Sequence, residues 1–103
     1  MMERIERIER MEAVMDKVSK AVRDLETALN NYEDVEGELK ELVAYYDSQD
    51  WRDDFEADEK GHLPADLKRG VLSEDGVYNI LWEKSRIMET MEDIIGRNTA
   101  NLS

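Results

Sequence analysis

From Ile8 onward the apolar residues fall at Ile8, Met11, Met15, Val18, Val22, Leu25, Leu29 and Tyr32, in steps of 3-4-3-4-3-4-3. This is the a and d spacing of a heptad, and it predicts an amphipathic helix. A further column, Val14, Ala21, Ala28 and Val35, fills the g positions. The stripe is therefore wider than the a/d seam of a two-stranded coiled coil. A stripe three positions wide fits a helix packed against two neighbours in a bundle. The opposite face carries Glu9, Arg10, Asp16, Lys17, Lys20, Arg23 and Asp24. At the N-terminal end, Glu3–Arg7 and Glu6–Arg10 have the i,i+4 spacing that supports a solvated helix.

Beyond Tyr32 the apolar positions are Val35, Leu39, Leu42, Val43 and Tyr46. Two successive steps of 3 read as a phase slip, flanked by Asn30, Asn31 and Gly37, all weak helix formers. A kink or break in 30–38 is expected, separating a helix over about 1–32 from a second over 35–47. An uninterrupted helix from Glu3 to Tyr46 would run about 66 Å. A compact domain of this size has a radius of gyration of about 13 Å. Such a helix would need a dimer partner or would leave much of its stripe wet.

Residues 48–72 read as a connector with short helices. Ser48 or Asp50 can cap a helix carrying Trp51 and Phe55. Gly61 and Leu63-Pro64 interrupt it, and Pro64 suits the first turn of another short helix, 64–69, closed by Gly70. Ser73 is a good N-cap for the last helix, with Glu74 and Asp75 in its first turn. Leu72 and Val77 have the spacing of a hydrophobic staple. The apolar face then runs through Val77, Ile80, Leu81, Ile87, Met88, Met91, Ile94 and Ile95, and Gly96 marks its end. The expected architecture is all-α: a small helical bundle in a single domain over 1–103. A C-terminal helix over 73–96 packs antiparallel to the first, and 97–103 frays.

Composition adds exclusions. The chain has 103 residues and no cysteine, so disulfides, zinc–thiolate sites and thiol chemistry are out. Its N-terminus has no apolar secretory core, and no run approaches the ~18 apolar residues of a membrane span; a cytoplasmic protein is the default. The net charge of −12 is uneven. Residues 1–23 carry 6 bases and 5 acids, residues 24–59 carry 2 bases and 14 acids, and residues 60–103 carry 6 bases and 7 acids. Direct binding to nucleic acid or to an anionic membrane is disfavoured, since both need clustered Lys and Arg.

The candidate chemistry is sparse. Asp53, Asp54, Glu56, Asp58 and Glu59 form an acidic run of the oxygen-ligand type that a hard divalent cation uses. Read as a calcium loop from Asp54, it puts Glu59 where the turn glycine belongs and Ala65 where the closing glutamate belongs. A solvated connector is the better reading. His62, the one histidine, has no marked nucleophile beside it. Trp51, Phe55, Trp82, Tyr45, Tyr46 and Tyr78 lie at helical spacing and read as core. No cofactor is implied.

One segment is distinctive: Tyr45-Tyr46-x-Ser48-x-x-Trp51-x-x-Asp54-x-Glu56-Ala57-Asp58-Glu59-x-Gly61-x-Leu63-Pro64-x-Asp66-Leu67-Lys68-Arg69-Gly70-Val71-Leu72-Ser73-Glu74-Asp75. It resembles the bacterial domain-of-unknown-function family numbered 4298, over roughly residues 3–95. The stretch from Leu63 to Asp75 is the specific part. The resemblance implies a small helical protein and brings no activity. Asp66, Lys68 and Arg69 exceed what a breaker, a turn and a cap require. Lys68 and Arg69 either fold back onto the acidic block or, with Asp66, meet a partner.

Function is therefore expected at the level of surfaces. The first expectation is a non-enzymatic protein–protein interaction module, self-associating as a homodimer through leftover helical stripe. The alternative is an acidic decoy that imitates nucleic acid to inhibit a basic nucleic-acid-binding protein. A metal-dependent enzyme using 53–62 ranks third, because its ligand spacing matches no motif. The candidate partner contacts are Asp53, Asp54, Glu56, Asp58, Glu59, Asp66, Lys68 and Arg69, facing a basic protein if the acidic face is functional.

Overall fold

A computed structural model describes residues 2–102. Its elements, in order, are α1 (Met2–Tyr46), α2 (Gln49–Glu59), a 3₁₀ turn (Gly70–Leu72) and α3 (Gly76–Leu102). Among the described residues there is no strand, and no helix is long and apolar enough to cross a membrane.

The expected break in 30–38 is absent: α1 is one helix of 45 residues, about 67 Å long. Carrying the heptad of Ile8 forward explains why. Leu39, Val43 and Tyr46 fall on d, a and d, while Val35 and Leu42 continue the g column. The apparent slip is this g column seen beside an unchanged a/d frame, with Glu36 as the one charged a position. Asn30, Asn31 and Gly37 fall on b, c and b, away from the stripe. A solvated glycine costs a helix about 1 kcal/mol relative to alanine, too little to stop a ladder intact on both sides.

The chain divides into two units, Met1–Lys40 and Glu41–Ser103. The first is the N-terminal part of α1. No residue of α1 is buried: Met11 is 47% exposed, Val18 54%, Val22 61% and Leu25 56%.

The second unit is built on local signals. Ser48 has extended backbone and accepts the amide of Trp51 through its Oγ at 3.2 Å, capping α2 as expected. At the other end, the amide of Gly61 reaches the carbonyl of Asp58 and that of His62 reaches the carbonyl of Ala57, each at 3.0 Å. Gly61 has φ +72°. These bonds form a Schellman cap, whose left-handed position favours glycine. The short helix expected over 64–69 is not formed. A single turn takes its place, with the Leu67 amide 3.2 Å from the Pro64 carbonyl, followed by the 3₁₀ turn. Six residues, from Pro64 to Arg69, are too few to offset the cost of nucleating a helix.

Leu72 and Val77, the staple pair, are the two buried apolar residues among those described, 6% and 2% exposed. Ser73 Oγ accepts the amide of Gly76 at 2.9 Å, the bond an N-cap makes to the third helical residue. The regular ladder of α3 starts at Gly76 rather than Ser73, and Asn79 donates to the Asp75 carbonyl at 2.8 Å. At the other end α3 continues through Gly96 to Leu102, so the helix does not end at 96 as expected; residue 103 lies outside the described residues.

Candidate interaction surfaces

The polar candidates sit on α2 and the loop that follows it, and most of them are engaged locally. Asp53 accepts a hydrogen bond from Gln49 Nε2 at 2.9 Å, one helical turn away. Asp54 accepts from the Tyr45 hydroxyl at 2.6 Å. This bond, then partial loss of hydration and the negative charges of Asp54 and Asp50, raise the Tyr45 phenol to about 12. Glu56 pairs with Lys60 at 2.7 Å. Asp58 receives Arg69 Nη1 at 2.8 Å, and Arg69 Nη2 reaches the Pro64 carbonyl at 2.8 Å. Arg69 therefore takes the fold-back option, and its planar fork closes the loop 58–69 from both sides.

Glu59, Asp66 and Lys68 are exposed, and among the described residues they make no ion pair. The eight candidates are not brought together as one constellation. His62 lines a shallow, open depression with Asp53, Glu56, Ala57 and Lys60. Among the described residues, no group of three or more His, Cys, Asp or Glu is placed to hold a metal ion.

The aromatic residues divide. Tyr46, Trp51 and Phe55 form a ladder with ring centroids 5.1 and 5.2 Å apart. Trp51 Nε1 donates to the Val71 carbonyl at 2.9 Å, and the Tyr46 hydroxyl donates to the Glu74 carbonyl. This cluster ties the end of α1 and α2 to the segment that opens α3. Its rings are half-buried, so the expected core role holds in part. Tyr78 and Trp82 depart from it: they are 64% and 61% exposed, with the Arg86 guanidinium 6.0 Å from the Trp82 ring. The sequence holds the signal for this. Each follows by one residue a position of the apolar face, Val77 and Leu81, and so lies about 100° around the helix from it.

A long exposed apolar feature is the α1 stripe. Ile8, Met11, Val14, Met15, Val18, Val22, Leu25, Leu29 and Val35 are all exposed, on one unbroken helix. On the opposite face Lys20 pairs with Asp24 at 2.6 Å across one turn. The arrangement offers no reacting group; what it offers is a long, regular apolar seam.

A family model described as Domain of unknown function (DUF4298) matches residues 8–94. No curated protein matches the chain, and no solved structure does.

Proposed function

The chain belongs to the DUF4298 family, and from its surfaces we propose that it is a non-enzymatic protein–protein interaction module that self-associates through α1. One observation carries the proposal: on a 45-residue helix the apolar stripe residues from Ile8 to Leu29, with Val35 beyond them, are exposed. Soluble monomers rarely leave apolar patches larger than a few hundred Å² uncovered. Helices in proteins draw most of their stability from packing of their apolar face rather than from propensity. A second copy supplies that packing, because heptad-spaced residues on one helix interdigitate with the same spacing on another.

Sedimentation equilibrium tests this. The wild type is expected to be a dimer at tens of micromolar; a strict monomer there contradicts the reading. Leu25→Asp removes a core side chain from both copies. Burial of a leucine is worth about 1.5–3 kcal/mol, so doubling it weakens association by at least about 100-fold.

The charge map supports a second reading, an acidic decoy for a basic nucleic-acid-binding protein, since 14 acids lie within residues 24–59. Local pairing of Glu56 and Asp58 reduces the charge such a surface presents. Binding of this kind would fall steeply with salt and compete with DNA. Failure to retain any basic protein from a lysate at low salt would remove it.

A further inference from the structure

The two flanks of the α1 seam are chemically different, and that difference selects an orientation. The g row is apolar and small: Val14, Ala21, Ala28 and Val35. The e row is polar and mostly acidic: Glu12, Ser19, Glu26 and Glu33. Because α1 is unbroken, both rows hold their places beside the a/d seam from Glu12 to Val35; outside that stretch Arg7 stands in the g row and Ile5 and Lys40 in the e row. In a parallel pair of helices each g position lies beside the partner's e position. In an antiparallel pair, g lies beside g and e beside e. Parallel pairing would press Val14, Ala21, Ala28 and Val35 against the carboxylates of Glu12, Glu26 and Glu33, stripping water from charges that gain no partner. Antiparallel pairing joins the two apolar g rows, widens the seam to three positions, and leaves the acidic e rows on the open, hydrated side. Ala21 and Ala28 allow the helices to approach closely along the joined rows.

The charge along the helix makes the same choice independently. Residues 1–23 hold 6 bases and 5 acids; residues 24–46 hold 1 base and 7 acids. Packed helices run about 8–10 Å apart, and the screening length at physiological salt is about 8 Å, so neighbouring flanks feel each other. Parallel alignment sets the two acidic halves side by side. Antiparallel alignment sets each acidic half beside the half that carries Arg4, Arg7, Arg10, Lys17, Lys20 and Arg23.

We infer that the occupant of the α1 stripe is a second copy of this chain, aligned antiparallel along the a, d and g positions. The inference rests on the self-association proposed above and adds its geometry.

Spin-label distance measurements test it. The chain has no cysteine, so single labels can be placed through Glu6→Cys and Lys20→Cys, both at heptad position f, opposite the seam. The stripe from Ile8 to Tyr32 is centred on Lys20, and its extension to Tyr46 moves the centre further along. An antiparallel dimer then offsets the two Glu6→Cys labels along the helix axis by about 42 Å more than the two Lys20→Cys labels, fourteen residues of rise counted twice, so the Glu6→Cys pair gives clearly the longer distance. A dimer in which both label pairs give the same distance is parallel and overturns the inference, while leaving self-association standing. Absence of any intermolecular distance in both variants, with monomers in the same samples by sedimentation, overturns both.

Discussion

Gly76 and Gly37 both lie in helices, and alanine should act on them in opposite directions. A Cβ at Gly76 would sit 2.8 Å from the Gly70 carbonyl oxygen and 2.8 Å from Ser73 Oγ, against the atoms that form the cap of α3. Gly76→Ala should therefore destabilise the second unit by about 1–2 kcal/mol, the worth of a lost N-cap. At Gly37 a Cβ meets nothing within 4 Å, and Gly37→Ala should stabilise α1 by about 0.5–1 kcal/mol. Thermal denaturation followed by circular dichroism separates the two. Tyr45 offers a pH test. Its phenol is raised to about 12 by the hydrogen bond to Asp54, with burial and nearby acids adding to it. The folded protein then holds a proton that the unfolded chain releases near pH 10, so this contribution to stability is present below pH 10 and is lost as pH rises from about 10 to 12. The phenolate absorbance of the wild type minus that of Tyr45→Phe reports the titration directly. Asp54→Asn should bring the Tyr45 titration back toward pH 10, and an unchanged midpoint contradicts the assigned cause.

At the scale of elements, what was legible in the sequence is what local chemistry decides. Ser48 and Ser73 act as caps because a hydroxyl two or three residues ahead of an orphan amide bonds it in almost any tertiary setting. Leu72 and Val77, at the spacing of a staple, are likewise the two buried apolar residues among those described. The helix carrying Trp51 and Phe55 follows from its cap and its i,i+4 pair. The break expected in 30–38 came from counting steps between apolar residues without separating the g column from a/d. Holding the frame of Ile8 fixed through Tyr46 would have predicted the continuous helix. The loop 60–69 was less legible, since its shape depends on Arg69 joining Asp58 to the Pro64 carbonyl, and the sequence left that arginine two options. The same limit applies to the candidate contacts: spacing alone does not show that Asp54 meets Tyr45 nine residues away. Removing the clamp tests its role. Arg69→Ala should lower stability by about 1 kcal/mol or less, since both partners are partly hydrated, with faster proteolysis of the loop as the more sensitive readout. Arg69→Lys should restore only part of the loss, because an ammonium cannot make both bonds of the fork.

For the whole molecule, the two units are held by different means. The second has caps, an aromatic ladder and the Leu72–Val77 pair of its own. The first is one amphipathic helix with no core of its own, and a helix draws most of its stability from packing of its apolar face against a partner. Its seam, its apolar g row and the opposed charge of its two halves all favour another copy of α1 in that place. Stability should then depend on protein concentration, because mass action drives unfolding of an associated species on dilution. The direct measurement is the thermal melt of the helical circular dichroism signal at two protein concentrations about a hundredfold apart. The account predicts that the melting of α1 moves upward by several degrees at the higher concentration, and that Leu25→Asp abolishes the shift. A melting curve that superimposes at both concentrations, with full helix content, would contradict it.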